Sequence, residues 1–183
     1  MSGAWPLHGD VVRLRPVTSG DAARLTEIVT HPEVARWWGD FDLGRVQREL
    51  IAPDDGTVTL AVEADDHLIG LIQYFEENDP DYRHASIDIF LDPAWHHRGL
   101  GADAVRTLAR HLFDQRGHHR LTIDPAAHNQ QAIRSYQRVG FRPVGIMRQY
   151  ERSPTGTWHD GLLMELLRED LAISARPSRP ARP

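Results

Sequence analysis

Seven segments of the chain show the alternating or short apolar patterns that are typical of β-strands. Three of them, between residues 57 and 91, follow one another through short turns, so we expect antiparallel pairing there. The predicted strands are Val11–Arg15, Thr57–Glu63, His67–Glu76, His84–Leu91, Arg120–Asp124, Arg142–Arg148 and Gly161–Leu167.

Four further segments carry apolar residues at helical spacing. A strand, a helix and another strand follow one another after His84, which implies one parallel strand pair. We therefore predict an α/β (α+β) fold with a mixed, mostly antiparallel sheet. The predicted helices are Asp21–Thr30, Pro32–Trp38, Gly99–Phe113 and Asn129–Val139, and Gly44–Leu50 could form another.

The length of 183 residues fits one domain, which we place at residues 1–171. Residues 172–183 (AISARPSRPARP) are rich in proline and arginine and have no apolar period, so we predict a disordered tail there.

Composition excludes several function classes. The chain has no cysteine, which rules out disulfides, thiolate zinc sites, iron–sulfur clusters and a cysteine nucleophile. Its apolar runs are shorter than the roughly 18 residues of a membrane span, and no signal sequence starts it, so we expect a cytoplasmic protein without a membrane partner. The net charge of −5 argues against a nucleic-acid partner and suits a cationic one. We expect a monomer or a homodimer. The eleven histidines follow no metal-binding spacing, and we expect no metal.

The segment His96–Gly101 lies between a predicted strand and a predicted helix. Glycines let the backbone approach an anion, and a helix start offers unpaired N–H groups. Arg98 could add charge-assisted contacts to a phosphate. The alternative is a plain connection that needs glycine for its geometry.

A competing prediction is a nicotinamide dinucleotide site. The segment Gly99–Ala104 fits the pattern G-x-G-x-x-G/A, and Asp124 could contact a ribose. However, Asp92–Arg98 separates the strand from the first glycine, and only about sixty residues follow the unit, too few for the second half of that fold.

The helix predicted after Asn129 can be explained by structure alone. Asn129 is a suitable helix cap, Tyr136 belongs to an apolar stripe and Gly140 provides a stop. Taken together with the glycine turn, however, this helix resembles a known pattern.

The two segments together resemble the GCN5-related N-acetyltransferase (GNAT) superfamily. His96–Gly101 is similar to its Q/R-x-x-G-x-G/A pyrophosphate loop, with histidine in the first position, and Asn129–Phe141 to its N-x-x-A-x-x-x-Y-x-x-x-G-F helix. The resemblance spans most of residues 10–168. It implies a sheet with helices on both faces, whose parallel strands splay apart to bind acetyl-CoA.

The resemblance also implies roles in cofactor binding. Main-chain groups where the strands part would hold the pantetheine arm like an added strand, and an N–H near Phe90 or Leu91 would stabilise the oxyanion. Asn129 would bind the arm, and Tyr136 would protonate the leaving thiolate. The implied cofactor-binding residues are Phe90, Leu91, His96, His97, Arg98, Gly99, Leu100, Gly101, Ala102, Asn129 and Tyr136.

Several segments look like aminoglycoside 6′-N-acetyltransferases within the superfamily: Val34–Gly39, Gly70–Phe75, Ile87–Leu91 and Ile123–Pro125. The segment Gly156–Met164 is more similar to ribosomal-protein or polyamine acetyltransferases. A tyrosine of the aminoglycoside enzymes is replaced here by Phe75. The substrate-lining residues that the resemblance implies are Trp37 or Trp38, Gln73, Asp88 and Asp124.

Amine acetylation needs a base. An alkyl amine with a pKa near 10 is only about one part in a thousand neutral at pH 7, so a carboxylate that accepts its proton accelerates attack. Asp88 is our candidate, on the strand face opposite Ile87 and Ile89, and Asp124 would approach the same cleft. Asp88 would need burial or a like charge to raise its pKa; alternatively, it is a solvated surface residue.

An acidic stretch begins at Glu76 and continues to Asp81. It is either a solubilising turn or a means of steering a polycation toward the cleft.

The expected function is therefore direct transfer of an acetyl group from acetyl-CoA to a primary amine of a cationic small molecule, in a ternary complex. The resemblance favours the 6′-amine of an aminoglycoside. Two alternatives remain open: an acetyltransferase of a protein N-terminus or polyamine, and a non-catalytic CoA-binding regulatory module.

Overall fold

A computed structural model describes residues 5–53, 56–153 and 155–172. Apart from residue 172, the predicted tail lies outside the described residues. The strands are β1 (Leu7–His8), β2 (Arg13–Pro16), β3 (Val58–Ala64), β4 (His67–Glu77), β5 (His84–Leu91), β6 (Arg120–Ile123), β7 (Arg142–Arg152) and β8 (Trp158–Leu167). The helices are α1 (Ala22–Val29), α2 (Pro32–Trp38), α3 (Leu43–Val46, continued by a π-helical turn at Gln47–Ile51), α4 (Leu100–Asp114) and α5 (Gln130–Val139).

The described strands form one sheet in the order β1-β2-β3-β4-β5-β6-β8-β7. Its one parallel pair joins β5 to β6, through Ala85 opposite Leu121 and Ser86 opposite Thr122. Beyond these positions β5 continues to Leu91 without a partner strand on that side. The mixed sheet confirms the predicted fold class, and its antiparallel majority is incompatible with the dinucleotide-binding alternative.

Helices cover both faces of the sheet. The larger core packs α4 and α5 against one face, around side chains such as Leu108, Tyr136 and Ile87. The smaller core packs α1, α2 and α3 against the other face, around Leu71 and Phe90. No helix in the described part of the chain is long and apolar enough to cross a membrane.

The N-terminal end of the sheet differs from the prediction. Strand β2 begins at Arg13, two residues later than expected, because the N–H groups of Val11 and Val12 donate to the Asp103 carboxylate at 2.9 and 3.1 Å instead of to a strand. Asp103 is buried in the first turn of α4. This carboxylate therefore fixes the start of α4 to the edge of the sheet.

The C-terminal hairpin is longer than its sequence pattern indicates. Strand β7 forms the edge of the sheet and is exposed along almost its whole length. Its pairing with β8 shifts register between Pro143 and Gly145 and again between Met147 and Glu151. Because no face of β7 is consistently buried and each shift interrupts the period of two, alternation does not reveal its full extent.

Candidate active site

The separation of β5 from β6 leaves a cavity of about 1260 Å³. One end of it is formed by the turn before α4 and by the start of α5, and the other by α2, α3 and strand β7. It is lined by most of the residues expected from the sequence: Trp37, Trp38, Gln73, Asp88, Phe90, Leu91, His96, His97, Gly99, Leu100, Gly101, Ala102, Asp124, Asn129 and Tyr136.

The glycine turn brings a helix start to the cavity. Gly99 adopts a left-handed conformation (φ 78°, ψ 0°) immediately before α4, and His97 is also left-handed (φ 61°). The first N–H groups of a helix have no acceptor within the helix, and they form its positive end. A Cβ atom added to Gly99 would meet no other protein atom within 4 Å. The turn thus offers open space and donor groups for an anion.

Two side chains of this turn stabilise the turn itself. The Nε2 atom of His96 donates to the carbonyl of Leu91 at 3.0 Å, which ties the turn to the end of β5. Arg98 stacks on Trp95 at 4.8 Å and donates to the carbonyl of Ala94 at 3.1 Å. Of the residues expected to contact a pyrophosphate, Arg98 is therefore the one whose side chain does not line the cavity.

Helix α5 contributes Asn129 and Tyr136. The Asn129 side chain accepts a hydrogen bond from the N–H of Ala132 at 3.2 Å and so caps the helix, as expected. Tyr136 is buried. Burial raises the pKa of its hydroxyl, and the charges of Asp88 and Asp124 raise it further. The phenol consequently keeps its proton at neutral pH.

Asp88 lies on the cavity floor, on β5 directly opposite Gln73 of β4. Its carboxylate is open to water on the cavity side and surrounded by protein on the others. This enclosure, reinforced by the charges of Asp124 and Glu151, raises the pKa of Asp88 to about 7, although a hydrogen bond from Gln73 opposes the shift. A carboxylate that titrates near 7 is well matched to a general base at physiological pH.

Two more carboxylates lie close to Asp88. Asp124 directly follows β6, where burial raises its pKa and a hydrogen bond from Tyr150 opposes the rise. Glu151 on β7 has its pKa raised by burial and by the charge of Asp124, while His159 and His128 act in the opposite direction. Three carboxyl groups that resist ionisation together favour a cation among them.

The predicted tryptophans meet the cavity in different ways. Trp38 packs edge-on against Phe90, with ring centroids 4.8 Å apart, and belongs to the smaller core. Trp37 lies 5.0 Å from the ring of His128, and Arg36 stacks on it at 4.4 Å. Trp37 thus forms part of the rim between α2 and the loop after β6.

The expectation for Glu76 needs correction, because its side chain lies away from the cavity. Its carboxylate accepts hydrogen bonds from Arg116 at 2.7 and 3.1 Å and pairs with Nε2 of the buried His118 at 2.7 Å. The hydrogen bonds from Arg116 lower the pKa of Glu76 most. Burial opposes this shift and His118 adds to it, and together they bring the pKa to about 2. Glu76 therefore joins β4 to the end of α4 and does not contact the cavity.

Three further residues line the cavity without any signal in the sequence: Tyr150, Glu151 and His128. Tyr150 and Glu151 belong to the irregular, exposed strand β7, and His128 lies in a loop. No local motif marks these positions. The pairing of β7 with β8 brings Tyr150 and Glu151 to the site, and the loop after β6 brings His128 there.

Residues 5–53, 56–153 and 155–172 contain no group of three or more histidine, aspartate or glutamate side chains that could hold a metal ion.

Comparisons with known proteins agree with this geometry. Residues 12–142 match the family model described as an acetyltransferase (GNAT) domain. The chain is 31% identical over 158 residues to aminoglycoside N(6′)-acetyltransferase type 1 of Klebsiella pneumoniae, covering 75% of this chain and 77% of that protein. It is 24% identical over 140 residues to spermidine N(1)-acetyltransferase of Escherichia coli K12, covering 73% and 74%.

The fold also matches solved structures. One is AAC(6′)-Ib in complex with paromomycin and acetyl-CoA, with a TM-score of 0.74 and 26% identity, over 88% of this chain and 96% of that one.

Proposed function

Because this chain belongs to the GNAT acetyltransferase family, we propose that it transfers the acetyl group of acetyl-CoA directly to a primary amine of a cationic small molecule, and that the acceptor is the 6′-amine of an aminoglycoside. One observation carries this proposal. Asp88 and Tyr136, a poised base and a protonated phenol, line the same cavity as the anion-binding glycine turn.

The residues at the glycine turn fit the CoA moiety. The pyrophosphate would bind the first N–H groups of α4, from Leu100 onward, where Gly99 leaves space. The unpaired edge of β5 at Phe90 and Leu91 would pair with the pantetheine amides, and the amide nitrogen of Asn129, whose oxygen caps α5, would donate to the same arm.

The acyl donor supplies an activated thioester, and the chain supplies the proton transfers. Asp88 accepts a proton from the acceptor ammonium, directly or through a water, and so generates the neutral amine. The neutral amine attacks the thioester carbonyl carbon, and the carbon–sulfur bond breaks as the Tyr136 hydroxyl gives its proton to the sulfur. The new amide nitrogen then loses its extra proton, which returns to the Tyr136 phenolate. No residue of the chain forms a covalent bond to the acetyl group in this scheme, which agrees with the absence of cysteine.

The charges at the other end of the cavity support a cationic acceptor. Asp88, Asp124 and Glu151 come from three different strands or strand ends and converge there. Trp37 lies on the rim of the same cavity, where the edge of an indole ring can pack against a sugar ring. The similarity to the aminoglycoside N(6′)-acetyltransferase from Klebsiella pneumoniae supports the choice of acceptor.

The test is release of free thiol when the protein is mixed with acetyl-CoA and kanamycin, with acetylation located by mass spectrometry and NMR. We expect turnover at the 6′-amine. Turnover only with spermidine or with a peptide N-terminus would assign the protein to the alternative acceptors. If CoA binds but no amine of the panel is acetylated, the chain is a CoA-binding module and not an enzyme.

A further inference from the structure

Tyr150 lies at the acceptor end of the cavity, on the exposed edge strand β7. Its hydroxyl donates a hydrogen bond to the carboxylate of Asp124. It lines both the main cavity and an adjoining recess of about 480 Å³, and Gln73, Asp88 and Asp124 line both as well. Tyr150 therefore stands where the acceptor amine must meet its base.

The local backbone is built to direct this side chain inward. The register of β7 against β8 shifts between Met147 and Glu151. Within the shift Gln149 adopts a left-handed conformation (φ 49°), which is uncommon for a residue other than glycine, and its N–H donates to the carboxylate of Asp160 at 2.8 Å. Such a bulge redirects the side chain that follows it.

The opposite strand leaves room for the ring. A Cβ atom added to Gly161 of β8 would lie 2.9 Å from Cδ1 of Tyr150, closer than real carbon atoms approach. The tyrosine ring therefore passes directly over a glycine to reach Asp124. A bulge, a carboxylate acceptor and a missing side chain act together to place one hydroxyl.

We infer that Tyr150 is a positioning residue of the acceptor site, which fixes the orientation of the Asp124 carboxylate beside Asp88 so that the two together bind the acceptor ammonium. The inference deepens the proposed function and rests on it. Tyr150 acts through Asp124 and takes no proton from the substrate.

The inference predicts a defined pH dependence. The groups that face Asp124 are Asp88 on β5, Tyr136 on α5 and Tyr150 and Glu151 on β7, and His128 and His159 face Glu151 in turn. A hydrogen bond to a carboxylate favours its charged form. Removing the hydroxyl therefore favours the protonated form of Asp124, and the site reaches its fully ionised state only at higher pH.

The first experiment is the pH profile of kcat/KM for the acceptor in Tyr150→Phe. We expect the acidic limb to move up by about half to one pH unit, as loss of one hydrogen bond to a charged group implies, and the acceptor KM to rise more than kcat falls. Tyr82→Phe is the matched control, because Tyr82 is 74% exposed and does not line the cavity. An unchanged acidic limb in Tyr150→Phe would overturn the inference.

A second measurement needs no activity. In protein labelled with ¹³C at aspartate carboxyl groups, with resonances assigned by Asp88→Asn and Asp124→Asn, Tyr150→Phe should raise the titration midpoint of Asp124. Gly161→Ala should produce the same shift by displacing the ring and should add little in the Tyr150→Phe background. A midpoint unaffected by Tyr150→Phe contradicts the inference, whereas lack of turnover by the unmodified protein contradicts only the proposed function.

Discussion

The two ends of the cavity differ in how they are built. At the glycine turn, side chains hold the backbone in place: His96 binds the carbonyl of Leu91, Arg98 binds that of Ala94, and Asp103 binds amides of the segment before β2. What the glycine turn itself presents to a ligand is main chain. Its specificity should therefore depend on backbone conformation and tolerate the loss of most side chains.

The acceptor end has the opposite design. Its chemistry belongs to side chains from separate strands, chiefly Gln73, Asp88, Asp124 and Tyr150. The Oε1 atom of Gln73 is buried and has no hydrogen-bond partner among the described residues, and Asp88 has a pKa raised to about 7. Unsatisfied and perturbed groups of this kind are typical of sites that are completed by a ligand. Small chemical changes here should have large effects.

The largest effect should follow removal of the proposed base. In Asp88→Asn we expect kcat at pH 7 to fall about 10²- to 10⁴-fold, the usual contribution of general acid–base catalysis. The unmodified protein should gain activity as the pH rises through about 7, the pKa of Asp88. Steady-state kinetics from pH 5.5 to 9 would measure both, and calorimetric titration should find unchanged CoA affinity in the variant. Normal turnover would remove Asp88 from the mechanism.

The same substitution should stabilise the fold. The raised pKa means that folded protein holds the proton of Asp88 more tightly than unfolded protein does, so stability falls as the pH rises from near 4 toward 7. Asp88→Asn should therefore melt at a higher temperature than the unmodified protein at pH 8 and at a similar one below pH 4. This result would also show that any loss of activity does not come from misfolding.

A substitution that alters the backbone of the glycine turn, at the other end of the cavity, should have the next largest effect. In Gly99→Ala the left-handed conformation costs about 1 kcal/mol and the new methyl group enters the open space before α4. We expect at least tenfold weaker CoA binding by calorimetry. Gly117→Ala is the matched control, since Gly117 is also left-handed (φ 68°) but lies outside the cavity. Equal CoA affinities in the two variants would mean that the turn does not hold the anion.

Glu76→Gln should affect stability and not catalysis. The pKa of Glu76 is lowered from its ordinary value of 4.5 to about 2. Its ion pair therefore stabilises the fold fully at pH values above 4.5, and this stabilisation is lost as the pH falls toward 2. Because the group is mostly buried beside Arg116 and His118, we expect a loss of about 1–2 kcal/mol in chemical denaturation at pH 7. Acceptor KM should stay within twofold, and a larger rise would return Glu76 to the substrate site.

The smallest effect should come from Arg98→Ala. Its guanidinium stacks on Trp95 and does not line the cavity. We expect CoA affinity to change less than threefold. A tenfold loss would show that the side chain leaves Trp95 to bind phosphate, and the contrast between a main-chain end and a side-chain end would then fail.

The sequence by itself determined the features that depend on a few neighbouring residues. A glycine turn was expected before α4, a helix cap at Asn129, and Asp88 on the face of β5 opposite Ile87, and the structure confirms each of these local features. Each follows from the sterics and hydrogen bonding of a short segment, which the tertiary fold does not alter.

Only the tertiary structure decided which polar groups meet. The pairing of β7 with β8 and a bulge carry Tyr150 to Asp124, a residue 26 positions earlier in the chain. Long-range neighbours likewise direct Glu76 to Arg116 and His118, away from the cleft. Register between distant strands depends on the packing of the whole sheet, so no short segment contains the information that assembles the acceptor site.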